Sequence, residues 1–289
     1  MSPQAATEAP RPKVPIGIPS IDRRLNGGVR KGTTLLVTGP FGTGYQEFLR
    51  TAAVLHGNWQ TESGLFELEY GEVPATVTRP SQIRYIALND TETAFRRHIH
   101  DIAANDIAYP ALEGIEFHSI SASIAELGPI TPEDGGFRHK TAEERMSDAY
   151  QSVFEEFDQL IEGISDEIVI IESLSDFFPV TAKFLDPADI YFIAQTLCHV
   201  VSESDSVLIA GADEELLQHN EAGLLKRSFE GVLDFGWLGE GTARRRTMTV
   251  TKFPEFWRES NDDETTMFDL DIDRERFGIS SVKKIPPSR

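Results

Sequence analysis

One stretch near the amino terminus constrains the fold more than any other part of the chain. Residues 33–38 are β-branched or aliphatic, which predicts a buried strand. A turn containing Gly39, Gly42 and Gly44 follows directly, and apolar residues at helical spacing then continue to about His56. A buried strand that passes through a tight turn into a helix is typical of α/β folds, so this class is the first prediction.

The rest of the sequence continues this alternation. Further strands are predicted at 83–88, 115–120, 167–173 and 207–210, and helices at 91–104, 141–161, 187–202 and 216–227. Near the carboxy terminus, 231–238 and 245–253 are typical of an antiparallel hairpin, with a further strand at 267–272. We therefore predict a mostly parallel central sheet flanked by helices, with an antiparallel carboxy-terminal hairpin at one edge.

Composition suggests where the domain begins and ends. Residues 1–13 contain almost no large apolar side chain and are predicted to be a disordered tail. Residues 14–278 are predicted to form a single domain, within which 57–80 is a surface insertion, either a loop or a hairpin. Residues 279–289 are predicted to be a flexible tail.

The charge of the chain limits its partners. The formal net charge is −20, and Lys supplies only eight of the 27 basic residues. Dispersed acidity with scarce Lys resembles the proteins of halophilic archaea, where molar salt shortens the screening length to about 3 Å. An ordinary acidic cytosolic protein is the alternative. In either case the overall field repels nucleic acid, so we do not expect nucleic acid as a partner.

Targeting signals are not evident in the sequence. No run of about 18 apolar residues is present, so we expect no membrane span, and we expect the protein to be cytoplasmic. Cys198 is the only cysteine, which excludes an internal disulfide and fits a reducing compartment.

The glycine turn keeps part of a phosphate-binding pattern. A P-loop consists of Gly, four residues, Gly, Lys, and then Ser or Thr. Gly39 and Gly44 keep this spacing, but Tyr45 and Gln46 stand in the last two places. Tyrosine brings no positive charge to a phosphate, and an amide oxygen is a poorer Mg²⁺ ligand than a hydroxyl. The candidate nucleotide-contacting residues are therefore Gly39, Gly42, Thr43, Gly44, Tyr45 and Gln46, and any affinity for ATP and Mg²⁺ is expected to be weak.

The segment before this strand carries a family resemblance. Gly17-Ile18-Pro19-Ser20-Ile21-Asp22 and the paired Gly27-Gly28 resemble the opening signature of the KaiC-like branch of the RecA superfamily. Over residues 14–278 the order and spacing of the elements match that family as well. The resemblance implies a RecA-like P-loop fold with degenerate Walker motifs.

Carried over position by position, the resemblance implies a dismantled catalytic site. The acidic pair that follows the second strand in the family falls on Asn89 and Asp90, so Asp90 is the single carboxylate left there. The Walker B aspartate falls on Glu172, which is retained as a weak metal ligand. Asp90 and Glu172 are therefore the only catalytic remnants.

Two of these matches have simpler explanations. Asn89 and Asp90 are also suitable caps for the helix predicted from residue 91. Glu172 is equally explained as a strand-end carboxylate that binds backbone groups.

A third part of the family site lies near the end of the domain. There the family has a Lys-x-Arg pair that reaches the phosphates of a neighbouring subunit; Lys252 fits the first position, and Pro254 removes the second. The basic run of residues 244–246 is explained either by a solvated hairpin or by an anion-binding spot.

These features predict a KaiC-like pseudo-ATPase that acts as a regulatory or scaffolding protein. Weak nucleotide sensing remains open, as do homo-oligomerisation and the identity of any protein partner. The alternative is a divergent active ATPase of the KaiC or RadA type, in which Lys31, or Lys252 of a neighbour, replaces the missing lysine.

Overall fold

A computed structural model describes residues 12–61, 64–71, 73–126, 130–133, 136–139, 141, 150–177, 187–239, 244–260, 265–272 and 277–285. Residues 1–11 of the tail predicted at 1–13 lie outside these ranges, and so do residues 142–149 of the helix predicted at 141–161. None of the helices in the described ranges is both long and apolar enough to cross a membrane.

Thirteen strands are assigned within the described ranges. In chain order they are β1 Lys13–Val14, β2 Val29–Arg30, β3 Thr34–Gly39, β4 Gln82–Ala87, β5 Ile115–Ser119, β6 Ile130–Glu133, β7 Gly136–His139, β8 Glu167–Ile171, β9 Val207–Asp213, β10 Gly231–Leu238, β11 Arg245–Lys252, β12 Thr265–Ile272 and β13 Phe277–Ile285.

The same ranges contain ten α-helices. They are α1 Pro19–Asp22, α2 Tyr45–Gln60, α3 Leu65–Tyr70, α4 Glu92–Ile102, α5 Asn105–Gly114, α6 Ser121–Glu126, α7 Tyr150–Ile161, α8 Pro187–Glu203, α9 His219–Ser228 and α10 Pro254–Ser260. Short 3₁₀ turns lie at Leu174–Asp176 and Glu214–Leu216.

Nine of the strands form one sheet in the order β13-β12-β11-β10-β3-β9-β8-β4-β5. Every pair from β10 to β5 is parallel. The pairs from β10 outward to β13 are antiparallel. The predicted fold class, a mostly parallel sheet extended by antiparallel carboxy-terminal strands, is confirmed.

Helices cover both faces of this sheet. Leu35 and Val37 of β3 pack into a core that includes residues of α2, α4 and α5. Leu36, which points to the opposite face, packs into a second core with residues of α7, α8 and α9. Because successive side chains of a strand alternate between faces, a strand covered on both sides must be apolar throughout. This accounts for the uninterrupted apolar run that the sequence shows there.

The predicted insertion at 57–80 proves to be partly helical. Leu65–Tyr70 alternates apolar and polar residues like a strand, but it forms α3. Phe66 and Tyr70 are four residues apart, so they lie on one helix face and stack in series on Trp59, with ring centroids 4.5 Å and 3.7 Å apart. The stacking outweighs the local alternation.

Three further elements differ from the sequence predictions. Residues 105–114 form α5, and residues 130–133 and 136–139 form the β6–β7 hairpin; neither element was predicted. The carboxy-terminal prediction of a tail at 279–289 is wrong for 279–285, which belong to β13 and pair with β12. At the amino terminus Lys13 already lies in β1, paired with Arg30.

Asp22 organises the segment that carries the family signature. It is fully buried and accepts hydrogen bonds from the backbone N–H groups of Ile16, Gly17 and Ile18 at 2.7, 3.1 and 3.1 Å. The Tyr70 hydroxyl donates a fourth. Burial raises the pKa of Asp22 to about 6, although all four hydrogen bonds act in the opposite direction. The aspartate of the signature therefore has a structural role here.

His56 holds the same segment from the other side and should make stability depend on pH. Its Nε2 donates to the carbonyl oxygen of Pro15 at 3.0 Å, and burial lowers its pKa to about 4. As the pH falls, His56 therefore takes up a proton in the unfolded chain before it does so in the folded chain. The contribution of neutral His56 to the unfolding free energy is complete above about pH 6.5 and is lost as the pH falls towards 4. Over this window we expect the wild type to lose about 3 kcal/mol of unfolding free energy relative to His56→Gln.

Urea unfolding of both proteins at pH 7 and pH 4.5 measures this difference. Both proteins retain Asp22, so its titration cancels in the comparison. Parallel pH profiles for the two proteins would contradict the assignment.

Candidate functional site

The predicted site residues meet at the carboxyl edge of the parallel strands. The glycine turn follows β3, Asp90 follows β4, and Glu172 follows β8. Because neighbouring parallel strands end at the same edge of a sheet, the topology brings these groups to one place. The structure also brings there Asp213, the last residue of β9, which the sequence analysis did not select.

The turn has a backbone compatible with a P-loop. Gly42 and Gly44 have φ angles of 78° and 108°, in the left-handed region that favours glycine. Gly44 caps α2, while Tyr45 and Gln46 begin it. The buried Thr43 is committed to the turn itself, because its hydroxyl donates to the Pro40 carbonyl oxygen at 2.6 Å.

The strands from the carboxy terminus pack closely on this turn. A Cβ added at Gly39 would lie 2.4 Å from the carbonyl oxygen of Phe235, and one added at Gly44 would lie 2.1 Å from Cδ1 of Ile272. Arg246 donates from Nε to the Gly42 carbonyl oxygen at 2.9 Å. The turn is therefore held by contacts from β10, β11 and β12.

Tyr45 fills the position of the P-loop lysine as a buried, neutral group. Its side chain is 2% exposed. Burial raises its pKa, and Asp213, Asp176 and Glu172 raise it further. The phenol consequently stays protonated under physiological conditions. Gln46, beside it in the first turn of α2, is half-buried.

Glu172 is paired with an arginine that the sequence analysis overlooked. Arg50, on α2, places Nη2 2.9 Å from Oε1 of Glu172 and 3.7 Å from Oδ2 of Asp90. His98 of α4 places Nδ1 2.9 Å from the same Asp90 oxygen. Burial raises the pKa of Glu172; Arg50 opposes this rise and Asp90 adds to it. The two predicted remnants are thus joined through one guanidinium.

A further carboxyl group completes this acidic edge. Burial raises the pKa of Asp176, while hydrogen bonds from Ser173 and Asn89 act in the opposite direction. Asn89 therefore supports Asp176. It does not cap α4, because Thr91 is the cap and its hydroxyl oxygen accepts from the Ala94 N–H at 3.3 Å.

Asp90 pairs with side chains, and Thr91 is the cap of α4, so the capping explanation for Asp90 is wrong. Among the hydrogen bonds of the described residues, the partner of the Glu172 carboxylate is Arg50.

The basic residues near the carboxy terminus have partners within the chain. Lys252 donates to the carbonyl oxygens of Arg227 at 3.0 Å and of Phe229, at the end of α9. Arg245 pairs with Asp269 at 3.0 Å. The guanidinium groups of Arg244 and Arg246 stack on Trp237, at 4.4 and 5.3 Å from the ring centroid. The basic run is therefore an internally bonded hairpin.

Mg²⁺ and nucleotide phosphates fit this arrangement poorly. Gln46 replaces the metal-binding hydroxyl, and an oxygen of Glu172 already accepts from Arg50. Within the described ranges no group of three or more His, Cys, Asp or Glu side chains is arranged to hold a metal ion. A phosphate would also meet the carboxyl groups of Asp176 and Asp213 without the lysine that normally binds it.

Comparisons with known proteins identify the fold. No protein-family model matches the sequence, and no curated protein matches it. The crystal structure of a KaiC-like protein from the hyperthermophilic archaeon Pyrococcus horikoshii superposes with a TM-score of 0.59 at 18% identity, covering 94% of this chain and 100% of that one. The flagellar accessory protein FlaH from Methanocaldococcus jannaschii gives 0.56 at 11% identity, covering 91% and 95%. Identities this low show the fold alone: the chain has the RecA-like fold of KaiC-like proteins.

Proposed function

We propose that this protein is a KaiC-like pseudo-ATPase that acts as a regulatory or scaffolding protein without hydrolysing ATP. The observation that carries the proposal is Tyr45, a buried and neutral side chain at the position where a P-loop needs a lysine. A P-loop lysine contacts the β and γ phosphates, so its loss removes charge from the ground state and from the transition state. Losing preorganised electrostatic stabilisation of this kind typically costs about 100-fold or more in rate.

The surrounding charges support the same proposal. Asp213, Asp176 and Glu172 all act on the Tyr45 hydroxyl, and Arg50 is the cation beside them. A triphosphate brought to the turn would approach these carboxylates without a lysine to bind it. The nearby cations are already engaged, because Arg50 pairs with Glu172 and Arg246 donates to the Gly42 carbonyl oxygen. Helix and turn dipoles at α2 amount to about half a charge, too little to offset several nearby carboxylates.

Packing gives the turn a reason to persist without phosphate. Gly39 lies against the backbone of β10, and Gly42 and Gly44 need left-handed φ angles. A strand that must enter a helix at this place therefore requires these glycines for its own geometry. Any remaining nucleotide affinity is a weak remnant in this proposal.

The alternative of a divergent ATPase needs a replacement lysine. Lys31 pairs with Asp166, and these residues precede β3 and β8, at the opposite edge of the sheet from the turn. Because β3 has six residues at about 3.3 Å each, Lys31 lies roughly 20 Å from the turn of its own chain. Lys252 is engaged at the end of α9. These contacts favour the pseudo-ATPase.

Restoring the two replaced side chains tests the proposal. In molar KCl with Mg²⁺ and ATP, we expect no turnover and no thermal stabilisation of the wild type. The double variant Tyr45→Lys, Gln46→Thr should bind ATP at least about tenfold more tightly, because it regains one charge-assisted contact. A ligand at 100 times its dissociation constant stabilises by about 2.7 kcal/mol, which a thermal-shift assay detects.

The matched control is Tyr45→Phe with Gln46 retained, which changes the tyrosine without adding charge. Wild-type hydrolysis that disappears in Glu172→Ala would overturn the proposal and favour the divergent ATPase. Equal ATP affinity in the wild type and the double variant would also contradict it.

A further inference from the structure

Arg50 projects from the helix that follows the glycine turn into the acidic edge of the sheet. Its side chain is 12% exposed, and its partner Glu172 is 8% exposed. The pair is a hydrogen-bonded contact of 2.9 Å between elements far apart in sequence. Asp90, which is 25% exposed, lies 3.7 Å from the same nitrogen atom. One guanidinium therefore bridges the carboxylates that follow β4 and β8.

The positive charge of Arg50 offsets the negative charge of the carboxylates around it. Burial alone would lower its pKa, but Tyr85, Glu172 and Asp90 raise it, so the side chain remains a cation. The charge of Asp90 disfavours the ionised form of Glu172 and so raises the pKa of Glu172. Without a cation beside them, two neighbouring carboxylates would share a proton or attract a positive ion.

In an active P-loop site, the cation near the strand-end carboxylate is a divalent metal ion. Here Nη2 of Arg50 donates a hydrogen bond to Glu172. The hydroxyl that would be a further metal ligand is absent, because Gln46 stands at its position. Guanidinium and metal ion satisfy the same electrostatic need, but a guanidinium is covalently attached and always charged.

We propose that Arg50 is an internal counter-ion that takes the place of the divalent metal of this site. Its single positive charge balances one carboxylate without Mg²⁺, with Glu172 as the hydrogen-bonded partner and Asp90 at 3.7 Å. This inference rests on the proposed non-catalytic function and deepens it, because it states how the acidic positions are satisfied when no metal–nucleotide complex is used. Arg50 is a positioning residue: it holds the carboxylates of Glu172 and Asp90 in place and keeps a positive charge beside them.

Removing Arg50 should create the metal site that it replaces. The test uses Mn²⁺ alone, without nucleotide, as the probe, in buffered molar KCl that suppresses general binding to the acidic surface. Free Mn²⁺ is measured by electron paramagnetic resonance. Arg50→Met keeps the length of the side chain and loses the charge, and it should bind Mn²⁺ at least about tenfold more tightly than the wild type.

Recovery of thermal stability by Mn²⁺ is a second readout, and a purely packing role of Arg50 would not produce it. Arg50→Met should unfold at a temperature at least about 5 °C lower than the wild type, because a buried carboxylate loses its partner. Saturating Mn²⁺ should recover about half of that loss by binding the folded state. If the variant does not fold alone, refolding yield with and without Mn²⁺ gives the same comparison.

Two control variants define the result. Arg50→Lys keeps a cation and should remain insensitive to Mn²⁺. Adding Glu172→Gln to Arg50→Met should abolish the gained Mn²⁺ site. Tight stoichiometric Mn²⁺ binding by the wild type that Glu172→Gln removes would overturn the inference. So would an Arg50→Met protein that Mn²⁺ neither binds nor stabilises nor helps to refold. ATP hydrolysis by the wild type is a separate measurement and bears on the proposed function.

Discussion

Asp22→Ala is expected to lower the free energy of unfolding by about 4 kcal/mol, among the largest effects of a single substitution in this chain. Three backbone N–H groups and the Tyr70 hydroxyl would lose their shared acceptor in a site with no access to water. Each buried donor left without a partner costs about 1–3 kcal/mol. Relief of the buried charge offsets part of that sum, because burial opposes ionisation of Asp22.

Urea unfolding at fixed KCl concentration measures the loss. The matched control is Asp101→Ala, an exposed aspartate for which we expect a change within about 0.5 kcal/mol. Tyr70→Phe should cost about 1 kcal/mol, since it removes one donor and leaves the other three. A loss for Asp22→Ala no larger than that for Tyr70→Phe would show that the backbone contacts contribute little.

Gly39→Ala is expected to cost at least about 3 kcal/mol, whereas Gly42→Ala in the same turn should cost about 1–2 kcal/mol. The new Cβ at Gly39 would lie 2.4 Å from the Phe235 carbonyl oxygen, and β10 cannot yield because it is hydrogen-bonded in register to β3. At Gly42 no atom lies within 4 Å of an added Cβ, so the cost there comes from the φ angle of 78° alone.

Chemical denaturation of the two alanine variants side by side measures this ranking. The comparison separates the two reasons for keeping glycine in a turn of this kind, because Gly39 is limited by space and Gly42 by backbone angle. A larger loss at Gly42 than at Gly39 would mean that close packing by β10 is not what preserves the turn.

Local patterns in the sequence were enough to predict the central architecture. The β3 run, the turn and α2 follow from residue type and periodicity within one continuous segment, and so does the hairpin of β10 and β11. The identity of Tyr45 at the lysine position is likewise visible without a structure. The burial of that side chain among Asp213, Asp176 and Glu172 required the sheet topology, because these residues come from other strands.

Arg50 could not have been selected from the sequence. An arginine on an amphipathic helix is ordinarily a solvated side chain, and its partner Glu172 lies 122 positions away. The failure to predict strand β13 has a related cause. Its Ser280, Ser281 and Lys283 suit an exposed tail. Their order comes from pairing with β12 and from contacts with Asp269, to which Ser281 and Lys283 each donate at 2.7 Å.

The position of β3 in the sheet determines how late in synthesis this strand can pair with its neighbours. Both neighbours of β3 come from much later in the sequence, since β9 begins at Val207 and β10 at Gly231. At a translation rate of about 5–20 residues per second, the first long apolar strand waits on the order of ten seconds or more for a pairing partner. During that interval its backbone edges are open to other strands. We therefore expect the nascent chain to need shielding of this strand, by the helices that follow β3 or by a chaperone, until its carboxy-terminal half emerges from the ribosome.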